Sequence, residues 1–196
     1  MLWNLSKGTA LPKGVDIELD CTSRSEDPRI ARDLSPFFLG PLTINGLECK
    51  NFENAWQYSK VYDQHVKKER IQDVYYKWRA LGYANPKAVR YPMSKDSVPL
   101  YSLLGNRKLS YVEARQEIYI PEYAKLVRKT KSFKWLKEQH AKGANIVLRD
   151  FDGYNHHSMH RSYRDVITDP NRKMGHGFVI CMLLEMPSLL KMYRTN

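Results

Sequence analysis

The segment Glu53-Asn-Ala-Trp-Gln-Tyr-Ser-Lys60 holds an acid, an amide and a lysine at the spacing of one helical face. At about 100° per residue, Glu53, Gln57, Lys60 and Gln64 fall within about 60° of one another, while Phe52, Ala55, Trp56, Tyr62 and Val66 cover the other side. On a buried helix such a face is an active-site stripe. Taken alone, the spacing is met more simply by the solvated side of an ordinary amphipathic helix.

Two further constellations compete with it. Asp150-Phe-Asp-Gly-Tyr-Asn-His-His-Ser-Met-His160 gathers carboxylates and histidines, and His156 and His160 would share a face if that stretch were helical, the arrangement of a zinc or iron site. Against metal stand the turn signal Asp152-Gly153 and the lack of an HExxH pattern. The carboxylates Asp150 and Asp152 follow a predicted strand, where a rigid element hands over to a loop and catalytic acids often sit. Gly175-His-Gly177, before an apolar helix, would let ligand phosphates approach backbone N–H groups, although close helix packing or a turn explains two glycines more simply. No Walker A loop, GxSxG elbow or CxxC pair occurs, so kinase-type, serine-hydrolase and zinc-ribbon chemistry lack support.

The elements that must position these residues read as α+β: a single compact, mainly helical domain with a small β-sheet. With 196 residues, 42% hydrophobic and 12% aromatic, the chain suffices for one large core. Strands are expected near Val15 to Leu19, over Leu42 to Ile44 with an Asn45-Gly46 turn, and over Ala144 to Arg149. Helices are expected from Asn51, as N-cap, to about Val66; from Glu69 to Leu81, stopped by Gly82; and briefly after Asn85-Pro86. Tyr111 to His140 reads as helical in two pieces, with Pro121 kinking or separating them, and Gly175 to Glu185 as a buried helix. Met93 to Lys108 and Asp150 to Arg172 read as loops.

Charge narrows the partner. Lys and Arg number 32 against 21 Asp and Glu, a formal +11, which favours polyanions and nucleic acid first among them. Solubilising helix faces account for the same excess, since no RRM, KH, zinc-finger or helix-turn-helix signature accompanies it. No basic leader followed by an apolar stretch opens the chain, and the longest apolar run, Phe178 to Leu184, is too short to span a bilayer, so no membrane is expected. Cys21, Cys49 and Cys181 form no paired motif, which suits reduced thiols and a cytoplasmic setting.

In order along the chain, Leu34-Ser-Pro-Phe37, Pro41-Leu-Thr-Ile-Asn-Gly46 and Phe52-Glu53 with Gln57 and Lys60 resemble the opening of the NADAR domain, whose members carry Leu-Ser-Asn-Phe, an apolar strand closed by Gly, and a helix with Glu, Gln and Lys at this spacing. Asn85-Pro86-Lys-Ala88-Val-Arg90, the helical stretch from Ala124-Lys125, the strand Asn145 to Leu148 and the Gly-containing helix Gly175 to Glu185 continue the likeness. It covers residues 34–186 as a NADAR-like catalytic domain, leaving 1–33 as an N-terminal extension packed on it and 187–196 as a C-terminal tail. The chain departs from the pattern at Pro36 (Asn in the family), at Arg149 or Asp150 (Glu), at Gly177 (Asn) and at Ile180 (Gly), and the family's Trp-Gly pair has no clean counterpart.

The resemblance implies an α+β enzyme, without a cofactor, that cleaves N-glycosidic bonds in riboflavin-biosynthesis intermediates or in ADP-ribosylated guanine. Such cleavage builds oxocarbenium-like charge on the sugar, so a carboxylate near C1′ stabilises the transition state and the leaving nitrogen needs a proton. Glu53 is the candidate for the first role and Asp152 for a second acid. Lys60 would orient Glu53, contact phosphate, or attack the opened sugar as a Schiff-base nucleophile. Gln57 would bind ribose hydroxyls, Trp56, Phe37 and Tyr154 would stack on a base, and Arg149, Arg172 and the Gly175 backbone would hold phosphates. The expected partner is thus an ADP-ribosylated nucleotide or nucleic acid. Two alternatives remain open at this level: an accessory protein that binds nucleic acid on the same fold without chemistry, and a metal-dependent enzyme using the His156 to His160 loop.

Overall fold

A computed structural model describes residues 1–188 and Tyr193; of the expected tail at 187–196, residues 189–192 and 194–196 lie outside the described residues. The chain opens with strands β1 (Leu2–Leu5) and β2 (Ile17–Asp20) and helix α1 (Pro28–Leu34), whose first N–H groups, those of Arg29 and Ile30, donate to the Asp27 carboxylate. Strands β3 (Leu42–Ile44) and β4 (Leu47–Cys49) form a hairpin closed by Asn45 and Gly46 at φ 54° and 73°, as a two-residue type I′ turn requires.

After Asn51, which caps it as expected, α2 runs only over Phe52–Gln57. It gives way to β5 (Lys60–Val61), a single 3-10 turn (Asp63–His65), the small hairpin β6 (Val66–Lys67) and β7 (Arg70–Ile71), then α3 (Asp73–Ala84). The helix expected to reach Val66 stops early because the backbone of Lys60 and Val61 pairs with β8 (Tyr101–Leu104), which with β9 (Arg107–Leu109) makes a hairpin where a loop was expected. Gly82 does not end α3. It lies inside the helix, where a Cβ would come 2.1 Å from the Tyr58 ring. Residues 85–90 carry no helix.

Next, α4 (Tyr111–Ala114), a π-helical turn (Arg115–Tyr119) and α5 (Ile120–Val127) follow without interruption, so Pro121 does not separate two helices. It is the second residue of α5, directly after the π-helical turn, where the helical hydrogen-bond register changes. The break falls instead before α6 (Lys131–Ala141), capped by Thr130. Strand β10 (Ile146–Arg149) follows, and the long loop after it contains α7 (Tyr163–Thr168), opened by a capping box of Ser162 and Asp165. Last comes α8 (His176–Glu185), buried from His176 to Leu183.

The architecture is α+β, with helices around several small sheets. In the principal sheet β10 lies between β1 and β2, all parallel, with Leu2 opposite Ile146 and Ile146 opposite Ile17. Residues 1–33 are therefore more than a layer on the domain: they supply both neighbours of its central strand. Alternation along the strands sends Leu2, Asn4, Ile146 and Leu148 toward α8 and the main core. Trp3, Leu5 and Val147 point to the other face and pack with Val15.

Candidate active site

A cavity of about 520 Å³ opens between α2, the 90–99 loop, the residues after β10 and the start of α8. Every residue of α2 is buried, so its polar groups must find partners. Asn54 finds them in the 85–89 loop: its amide donates to the Asn85 and Lys87 carbonyls at 3.0 Å each and its oxygen accepts the Val89 N–H at 2.8 Å. That clamp sets the position of Arg90 at the cavity.

On the cavity side of α2, Gln57 Nε2 donates to Glu53 Oε1 at 2.8 Å, and Lys60 Nζ donates to Gln57 Oε1 at 2.6 Å. The acid and the lysine, expected on one helix, are linked through the amide between them. Only one orientation of the Gln57 amide satisfies both neighbours, with NH₂ toward the carboxylate and oxygen toward the ammonium. The Lys60 ammonium also lies 4.9 Å from the Trp56 ring centre. Burial pushes the Glu53 pKa up, opposed by the Gln57 hydrogen bond and the charges of Lys60, Arg90 and His176. Burial also brings Lys60 down to about 8, against the pull of Glu53.

The facing wall begins where β10 ends. Arg149 and Asp150 are neighbours, yet strand alternation sends them apart. Arg149 turns to the far face of the sheet, where Nε donates to Glu18 Oε1 at 2.6 Å and Nη1 to the carbonyls of Ser6 and Thr9 at 2.8 and 2.7 Å. Asp150 is buried, and its Oδ2 accepts the Gly177 N–H at 3.0 Å at the start of α8 and lies 3.4 Å from His176 Nδ1. His176 Nε2 is 2.8 Å from the Cys21 carbonyl, which can only accept, so that nitrogen carries a proton. The two glycines serve close packing: a Cβ at Gly175 would lie 2.0 Å from Asp150 Oδ2, and one at Gly177 2.1 Å from Asn4 Oδ1. Asp152 pairs with Arg90 at 3.2 Å, and its pKa is raised by burial and by the Asp150 charge, with Arg90, Lys173 and His176 opposing.

Glu53, Lys60 and Asp152 thus line one cavity, as do Phe37, Trp56, Gln57, Arg172 and Gly175. Two expected contacts fall elsewhere. Arg149 is committed to Glu18 and the 6–9 loop, and Tyr154 is packed on Phe178, ring centres 4.7 Å apart, with the Arg172 guanidinium 5.0 Å from its ring. Sequence reasoning passed over Arg90, His176 and Arg115 as cavity residues. Arg115, fully buried in the π-helical turn, donates to the carbonyls of Val166, Ile167, Asp169 and Arg172 and so fixes the loop that carries Arg172 and Lys173. No spacing pattern flags it, because its acceptors lie more than 50 residues away.

The histidine loop is not helical and does not set His156 and His160 on one face. His156 is buried, its ring 3.9 Å from that of His157 and 4.7 Å from that of Tyr163, while His157 Nε2 lies 3.0 Å from the Leu2 carbonyl. Among the described residues no group of three or more His, Cys, Asp or Glu converges to hold a metal, and no helix is long and apolar enough to cross a membrane. Cys21, Cys49 and Cys181 are all buried free thiols. Comparison of the chain with protein-family models, with curated proteins and with solved structures finds no match.

Proposed function

We propose that this protein is an N-glycosidase with a NADAR-like catalytic domain, hydrolysing the ribosyl N-glycosidic bond of an ADP-ribosylated base or related nucleotide, including one carried within nucleic acid. The observation that supports it is the convergence of Glu53, Lys60 and Asp152 on one cavity. Glu53, ionised, would sit against the C1′ cation, and its burial makes that attraction stronger than it would be in water. Gln57 and Lys60 hold the carboxylate in place and transmit positive charge to it through the amide dipole.

As the bond between C1′ and the base nitrogen breaks, its electron pair stays on the nitrogen, which takes a proton from Asp152. Burial and the neighbouring Asp150 raise that carboxyl's pKa against the pull of Arg90, Lys173 and His176, the direction a proton donor needs. Water adds to C1′, and the proton it sheds restores Asp152. Arg172 and Lys173 face the same space and would bind the pyrophosphate, with the Phe37 and Trp56 rings beside the base.

The test is release of ADP-ribose, followed by mass spectrometry, from ADP-ribosylated DNA, RNA and free nucleotide. Wild-type protein should release it from at least one of them, and Glu53→Gln should lower the rate by about a thousandfold or more while melting normally. Full turnover by Glu53→Gln would remove that residue from the mechanism. Salt-dependent binding without release from any of the three would favour the accessory, non-catalytic reading.

A further inference from the structure

At the mouth of the cavity, arginines and aromatic rings alternate. The Arg24 guanidinium lies 5.5 Å from the Phe151 ring centre, Arg90 lies 5.1 Å from the same ring, and Arg90 is also 5.5 Å from the Tyr91 ring. Phe151 and Tyr91 stay 39% and 40% exposed although both line the cavity. A lone exposed ring is ordinary, but two rings bracketing an arginine on a single rim form a surface. That surface is continuous with the chemistry, since Arg90 is also the partner of Asp152.

Flat π faces interleaved with guanidinium groups match unpaired nucleotides. Bases stack on the rings, phosphates meet the cations, and a duplex, whose base faces are already stacked, cannot use the rings. Lys95, Arg172 and Lys173 on the same cavity add positive charge along the path of a strand. We propose that the Phe151, Arg90 and Tyr91 rim is a stacking platform for single-stranded nucleic acid, taking the nucleotides next to the one whose glycosidic bond lies in the cavity. The register of the strand rests on the hydrolase reading; binding itself does not.

Fluorescence anisotropy with a labelled single-stranded oligothymidine, and with the duplex it forms with its complement, tests the platform on the full chain. Wild-type protein should bind the single strand about tenfold or more tightly than the duplex. Phe151→Leu and Tyr91→Leu keep apolar bulk but remove the π face, and each should weaken single-strand binding by roughly 5- to 100-fold, whereas Phe151→Trp and Tyr91→Phe should hold it near wild type. Equal binding of single strand and duplex, or wild-type affinity in the double Leu variant, would overturn the proposal. If the Leu variants melt early, the ring-retaining pair decides: loss of binding in well-folded Phe151→Trp and Tyr91→Phe would also overturn it. ADP-ribose release from the free nucleotide separates the two readings. Release without single-strand preference sinks the platform alone, while single-strand binding that needs the rings, with no release from any substrate, sinks the hydrolase and leaves the platform standing.

Discussion

The two walls of the cavity are built by opposite means. On the α2 wall, Glu53, Gln57 and Lys60 lie four and three residues apart and bond to one another directly. On the facing wall the decisive supports are remote: the Asp150 N–H donates to the Leu5 carbonyl, His176 reaches back to the Cys21 carbonyl, and Arg115 holds the 166–172 segment from another helix. The difference separates two tasks. A short stretch of chain can bring an acid, an amide and a lysine together, but the low dielectric and the second acid that give them chemical power require the whole fold.

Removing the remote support should have the largest effect. Deleting residues 1–20 strips β10 of both neighbours, and calorimetry should then show no cooperative unfolding transition; a deletion variant melting within a few degrees of the full chain would mean that the second wall stands without them. A smaller blow to the same wall is Gly153→Ala. Its Cβ would sit 2.6 Å from the Leu5 carbonyl carbon in β1, backbone that cannot swing away, and urea titration should register a loss of about 1–3 kcal/mol. An unchanged urea midpoint would show that the strand can shift.

The α2 wall should respond in rate more than in stability. Gln57→Ala keeps a good helix former but cuts the link between Lys60 and Glu53, so kcat/KM for glycoside release should drop by about 10- to 100-fold, while the buried carboxylate left without its donor lowers stability by about 1–3 kcal/mol. An unaffected rate would reduce the amide to a bystander.

The smallest effect concerns acid. Burial holds the His156 pKa down to about 4, against about 6.5 in an unfolded chain, so on acidification the unfolded state takes up the proton first. Stability should thus be untouched by this group above about pH 6.5 and decline by on the order of 2 kcal/mol from there to about pH 4. His156→Phe should flatten that part of the curve, and an identical curve would place the titration elsewhere.

The same contrast explains what was legible in the residues. The Asn45-Gly46 turn, the Asn51 cap, β10 and the apolar α8 announce themselves through neighbours in sequence, and each stands where it was expected. The stripe from Glu53 to Lys60 was found for a partly mistaken reason, because the helix that was to carry Lys60 ends at Gln57 and the lysine arrives on β5. β1 was missed: Leu-Trp-Asn-Leu is too short for its alternation to register, and only the structure shows that β10 needs it. Placing Arg149 at the phosphates failed by a single residue, since neighbours on a strand face opposite ways and Asp150 is the one directed toward α8. α7 escaped because its capping box uses Asp165 where Glu or Gln is the usual signal.

The parallel register that sets Leu2 against Ile146 also imposes an order of events. During synthesis β1 and β2 emerge early and have no strand to pair with until the one that belongs between them leaves the ribosome, well over a hundred residues later. Such distant pairing pays its loop-closure entropy before any contact rewards it, so it is slow to form and leaves strand edges open to the wrong neighbour meanwhile. The local trio of Glu53, Gln57 and Lys60 can be in place early, but the cavity around it closes last.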